Sequence, residues 1–115
     1  MLLSASEPTF SKHVLESSQP VLVYFWAPWC KLCHNIPPTL SKFQDEHPES
    51  LKIVSINADE TLKLANTYRL KMLPTFLLFE GGAVAHRIEG FHGREELYRT
   101  LEKMSRSSSP VLAQC

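Results

Sequence analysis

The chain has 115 residues, with 12 basic side chains against 12 acidic ones and a formal net charge of zero. That length suits one domain with one core and is too short for two ordinary domains. The charge balance argues against a nucleic-acid or anionic-membrane surface, and no apolar run approaches the ~20 residues that cross a bilayer as a helix.

Met1-Leu2-Leu3 leads at once into Ser4, Ala5, Ser6, Glu7 and Pro8. There is no basic region and no apolar stretch of about 7–15 residues, so the expectation is no secretory leader and a cytoplasmic location. Residues 1–5 are expected to form a short first strand. Glu7 to Ser17 reads as a helix with Ser6 as its cap and Phe10, Val14 and Leu15 as its apolar stripe. After the turn at Ser18-Gln19-Pro20, the run Val21-Leu22-Val23-Tyr24-Phe25 is short, β-branched and aromatic, which predicts a buried strand to about residue 26.

The strand leads into Trp26-Ala27-Pro28-Trp29-Cys30-Lys31-Leu32-Cys33. Leu32, Ile36, Leu40 and Phe43 then recur at helical spacing, predicting a helix to about His47. Pro37 and Pro38 fall inside it and should kink or break it near Ile36, because proline removes a donor and crowds the preceding turn. The two cysteines therefore lie where a strand becomes a helix. Amides of a first helical turn have no partner inside the helix and favour a thiolate over a thiol. A dithiol placed there can attack a disulfide and then close on itself, which is the physical case for redox chemistry at Cys30 and Cys33.

Leu51 to Ile56 is a second apolar, β-branched run, expected to be another central strand. Asp59 is expected to cap a helix of about ten residues that packs through Leu62, Leu64, Ala65 and Tyr68. Leu73-Pro74-Thr75 leads into a strand at Phe76-Leu77-Leu78-Phe79. Gly81-Gly82 is a hairpin signal, and Val84 to Ile88 should pair back. Leu97, Leu101 and Met104 mark a last helix, with Glu95 and Glu96 in its first turn where the dipole favours them. Residues 105–115, with Ser107-Ser108-Ser109-Pro110 and a terminal Cys115, read as a flexible tail. Together these elements give an α/β architecture, a mixed sheet of about five strands with helices on both faces. Three cysteines, two of them close together, do not make a disulfide scaffold.

Other readings of the cysteine turn remain open on residue type alone. Cys30-Lys31-Leu32-Cys33-His34 spells the C-x-x-C-H attachment pattern of c-type haem, although haem leaves the flanking Trp-Ala-Pro-Trp unexplained. Zinc is a second possibility, but no further ligand pair has finger-like spacing. His34 reads as a solvated helix residue or as a group that tunes Cys30. His13, His47, His86 and His92 read as surface residues.

From about residue 5 to residue 104 the chain resembles the thioredoxin family. The resemblance rests on Trp26-Ala27-Pro28-Trp29-Cys30-x-x-Cys33, on Pro38 in the helix behind it, on Leu73-Pro74-Thr75 and on Gly90, at these separations. It implies a thioredoxin fold over residues 1–104, a cis peptide before Pro74, and thiol–disulfide exchange that reduces protein disulfides. By resemblance Cys30 is the nucleophile and Cys33 the resolving thiol. Thr75, after Pro74, would bind the substrate chain, with Trp29, Leu73 and Gly90 lining its groove. Trp26, Lys31, Leu32 and Tyr24 would tune the pair. The implied partners are disulfide-containing proteins and a thioredoxin-type reductase, with no organic cofactor or metal, and the chain is expected to be a monomer. A binding module on the same fold, docking partners through that groove with little turnover, is the second reading. Three residues depart from the family pattern: Lys31-Leu32 stands for Gly-Pro, Tyr24 for a buried aspartate, and Ser55 for the lysine that faces it.

Overall fold

A computed structural model describes residues 3–49 and 51–107. Among these residues five strands, β1 (Leu3–Ser4), β2 (Val21–Trp26), β3 (Lys52–Asn57), β4 (Thr75–Glu80) and β5 (Ala83–Glu89), pair in the order β1-β3-β2-β4-β5. β3 runs parallel to both β1 and β2, whereas β4 is antiparallel to β2 and β5. The most apolar strand, β2, takes the central place because its residues 21–25 are buried on both faces. Side chains alternate across a strand, so Leu22 and Tyr24 enter one core while Val21, Val23 and Phe25 enter the other.

Among the described residues four helices cover the two faces: α1 (Glu7–Phe10, continued by a wider π-type turn over Ser11–Leu15), α2 (Pro37–Glu46), α3 (Leu62–Thr67) and α4 (Arg94–Ser107). Ile36, Leu40 and Phe43 of the α2 segment and Leu97, Leu101 and Met104 of α4 pack with Tyr24 and Phe76. Phe10 and Val14 close the opposite face, with Tyr68 packed against them. There Phe10, Tyr68 and Phe79 form an aromatic trio with centroids 5.4–5.8 Å apart. Gly81 and Gly82, both at positive φ (61° and 85°), make the two-residue link from β4 to β5 that their left-handed conformation permits.

The helix behind the cysteines breaks where its two prolines predict: a single 3₁₀ turn, Leu32–Asn35, precedes α2, which starts at Pro37. The break falls at Ile36, and both prolines enter the first turn of α2, where a missing N–H is least costly. The first helix stops at Leu15 rather than Ser17. Asp59 does not cap α3. It lies in a short 3₁₀ turn, Ala58–Glu60, opened by Asn57, whose side chain accepts from the Asp59 N–H at 2.9 Å. The first amides of α3 are met instead by Glu7 across the molecule, whose Oε2 accepts from Lys63 N (2.6 Å) and Leu64 N (3.2 Å). Leu62, expected to pack, is 69% exposed. Lastly, α4 continues through Ser107, past residue 104 where the tail was expected to begin. Residues 108–115, including Cys115, lie outside the described residues.

Candidate active site

The register of the sheet brings the predicted site residues to one end. β2 finishes at Trp26, opposite Asn57 at the end of β3, and Phe25 pairs with Thr75 at the start of β4. Thr75 in turn faces Glu89 at the end of β5. The cysteine turn, the segment at Asp59, the Leu73-Pro74 loop and Gly90 therefore all emerge at the same edge.

Cys30 and Cys33 form a disulfide, with Cα atoms 5.3 Å apart. The turn that holds them is built locally: Cys30 N–H donates to the Ala27 carbonyl (3.1 Å) and Cys33 N–H to the Cys30 carbonyl (3.2 Å). The Cys33 N–H also reaches Cys30 Sγ at 3.2 Å. This contact favours negative charge on the Cys30 sulfur, and Cys33 lies within a 3₁₀ turn rather than at the start of a long helix. Both cysteines are buried in the oxidised state, Cys30 5% exposed and Cys33 2%. Cys30 is thus nearly as covered as its partner while the disulfide is closed.

Around the pair the surface is apolar. Trp29 is 66% exposed and Leu32 and Met72 about half exposed, while Trp26 and Leu73 pack at the edge of the core. Trp29 is held in place: its Nε1–H donates to both carboxylate oxygens of Asp59, at 3.0 and 3.2 Å. Lys31 is exposed on the turn. His34, also exposed, has Nε2 3.2 Å from the Pro28 carbonyl oxygen.

The Leu73–Pro74 peptide is cis. The Pro74 carbonyl accepts from Gly90 N–H at 2.9 Å, and the Thr75 hydroxyl donates to the Met72 carbonyl at 2.7 Å. Gly90 has φ +91°, and a Cβ there would come within 3.7 Å of His92 and Met72. Its role in the turn is thus set first by backbone conformation. Tyr24 lies beneath the cysteines. Its ring stacks on Phe76 at 5.4 Å, its hydroxyl donates to the Cys33 carbonyl at 2.9 Å, and burial pushes its phenol pKa well above the usual value. Ser55 is its cross-strand partner; its hydroxyl lies 3.5 Å from the Leu3 carbonyl.

Sequence spacing does not reveal what Asp59 and Arg87 do near the site. Asp59, expected to be a cap, anchors Trp29 instead. Arg87 gives Nη1 to the Tyr68 carbonyl (2.6 Å), Nη2 to the Arg69 carbonyl (2.8 Å) and Nε to Glu89 (2.9 Å). Pairings of this kind join residues remote in sequence, so no spacing announces them.

A buried strand, a Cys-x-x-Cys disulfide at its end and a cis-proline loop beside it define a dithiol–disulfide redox protein. The thioredoxin family model matches residues 1–103. The chain is 39% identical over 100 residues to the chloroplastic M-type thioredoxin of Chlamydomonas reinhardtii, covering 87% of this chain and 71% of that protein. It is 36% identical over 98 residues to thioredoxin 1 of Nostoc sp., covering 85% and 92%, and 35% identical over 100 residues to thioredoxin 1 of Synechococcus elongatus, covering 87% and 94%. The chain belongs to the thioredoxin family, and its Cys30/Cys33 pair makes it a thiol–disulfide oxidoreductase.

Proposed function

We propose that the chain reduces disulfides in other proteins, with Cys30 attacking first, Cys33 resolving, and a thioredoxin-type reductase restoring the dithiol. The Cys30 thiolate attacks one sulfur of the substrate disulfide and expels the other as a thiolate. Cys33 then attacks Cys30 Sγ, the bond to the substrate breaks, and the protein is left with the Cys30–Cys33 disulfide. The observation that carries the order of attack is the Cys33 N–H directed at Cys30 Sγ, which favours the thiolate at position 30. Extended substrate backbone would lie along Thr75 and Pro74, between Trp29, Leu73 and Gly90, at the sheet edge described above. Exposed apolar side chains beside the thiol suit transient docking of unrelated proteins. The protein would act as a monomer in a compartment that keeps thiols reduced, the cytoplasm being the expected one.

Insulin reduction with a dithiol donor tests the reading. Turnover is expected from the parent and none from Cys30→Ser, while Cys33→Ser should accumulate mixed disulfides. No turnover by the parent, with partner binding that survives Cys30→Ser, would favour a binding module instead.

A further inference from the structure

We propose that His34 is the proton acceptor for Cys33, acting through water in the cavity beside the resolving thiol. The inference rests on the order of attack given above. Tyr24, Trp26, Cys33, His34, Pro37 and Ser55 line a cavity of about 230 Å³. Cys33 is buried and His34 is exposed, so the cavity leads from the covered sulfur to the surface. Its size admits several waters, and its walls carry polar groups to bind them.

Resolution requires a base, because a thiol must lose its proton before it attacks. Among the cavity's walls only Cys33, Tyr24 and His34 titrate. Tyr24 is excluded as a base: its hydroxyl proton is directed at the Cys33 carbonyl, and burial raises its phenol pKa further from neutrality. β2 and β3 otherwise present Trp26 and Ser55 to the cavity, and the α2 segment presents Pro37, none of them charged. Asp59 is not among the cavity's lining and its carboxylate accepts from Trp29, and Lys31 on the preceding turn is a cation. His34 is thus the one side chain lining the cavity that offers a nitrogen lone pair to a proton.

Its tautomer fits the task. A carbonyl oxygen only accepts, so the 3.2 Å contact to Pro28 places the hydrogen on Nε2. Nδ1 is then the accepting nitrogen. When Nδ1 takes a proton, the Nε2–H bond to the Pro28 carbonyl becomes charge-assisted and strengthens. In the mixed disulfide the Cys33 proton passes through water to His34, and the thiolate attacks Cys30 Sγ. The bond from Cys30 to the substrate breaks with its electron pair on the departing sulfur. That sulfur then takes up a proton, by way of solvent, from the imidazolium. The dithiol is oxidised, the substrate disulfide is reduced, and His34 returns to its neutral form.

The test is stopped-flow measurement of both half-steps with a model disulfide substrate, comparing parent and His34→Gln from pH 6 to 10. Glutamine keeps a donor for Pro28 and loses the base. The first attack by Cys30 is expected to be unchanged. Release of the second substrate thiol is expected to slow roughly tenfold near pH 7, below the usual range for losing a general base because bulk water still competes. The gap should close at the alkaline end, where hydroxide takes the proton. Free imidazole should speed release in the variant more than in the parent. Equal release rates at all pH values, or a slowdown constant with pH and untouched by imidazole, would overturn the assignment. A slowed first attack would point to His34 acting on Cys30 and would overturn it too. Failure of the dithiol reading would show separately, as absence of the Cys30 attack in the parent.

Discussion

Tyr24 shows how one residue can preserve a fold while altering its chemistry. The ring lies on Phe76, and the hydroxyl shares the Cys33 carbonyl with the Ile36 N–H, which donates to it at 3.2 Å. Tyr24→Phe therefore removes one hydrogen bond without stranding the acceptor, and should cost about 1 kcal/mol in urea unfolding. Tyr24→Asp is a different change. It leaves a void, costing roughly 2–5 kcal/mol, and places a carboxyl in a desolvated site that raises its folded pKa above the ordinary value near 4. The ionisation penalty is absent below that ordinary value, grows as pH rises toward the folded pKa, and is complete above it. Unfolding curves from pH 3 to 8 should show the variant losing further stability against the parent as pH rises. Where the variant stays folded, the new carboxylate borders the cavity beside Cys33, and release from the mixed disulfide should quicken near neutrality, more so with Ser55→Lys added. A rate equal to the parent's would mean that proton removal from Cys33 does not limit release.

At the level of elements, the sequence was most informative where burial repeats along the chain. β2, β4 and the hairpin after β4 follow from apolar runs and paired glycines, and the break before α2 follows from Pro37 and Pro38. The short helices were less legible. α3 depends on Glu7, some 56 positions away, for its first amides, and its exit depends on Arg87. That exit leads into the Leu73-Pro74 loop. It turns through Arg69 at φ +50°, with Leu70 N–H bonded back to the Ala65 carbonyl at 2.9 Å, a left-handed helix end. Arg87 binds the two carbonyls of that turn from β5, and through Glu89 it adjoins Gly90. We expect Arg87→Ala to loosen the loop, raising KM for a protein disulfide several-fold with little change in kcat. Arg87→Lys should behave similarly, because a single ammonium lacks the planar fork that spans two carbonyls. A kcat loss at constant KM would show that the clamp acts on the cysteines rather than on the substrate groove.

For the molecule as a whole, the site was legible as a set of residues and not as a set of contacts. Cys30, Cys33 and Pro74 followed from motif and resemblance. The tie from Trp29 to Asp59, the contact of Cys33 N–H with Cys30 Sγ and the cavity at His34 depend on strand register. A global consequence of the packing concerns alkaline pH. The chain has three tyrosines, and all three phenols are raised above the ordinary value near 10: Tyr24 and Tyr68 by burial, Tyr98 to about 12, first by the hydrogen bond its hydroxyl gives to Glu46. A raised folded pKa keeps the proton bound in the native state after the unfolded chain has lost it. The stabilisation by these phenols is therefore complete below pH ~10 and is lost as pH rises through that value toward the folded pKa values. Tyr24 is 2% exposed, so its share is little screened, and one such group contributes a slope of about 1.4 kcal/mol per pH unit. Urea unfolding of the disulfide form between pH 9 and 12 should show stability falling from about pH 10. Tyr24→Phe, slightly less stable than the parent at pH 9, should fall more gently, so that the two curves converge or cross. Parallel curves would mean that the Tyr24 phenol ionises in the native state as readily as in the unfolded chain, by local opening of the β2 face beneath the cysteines.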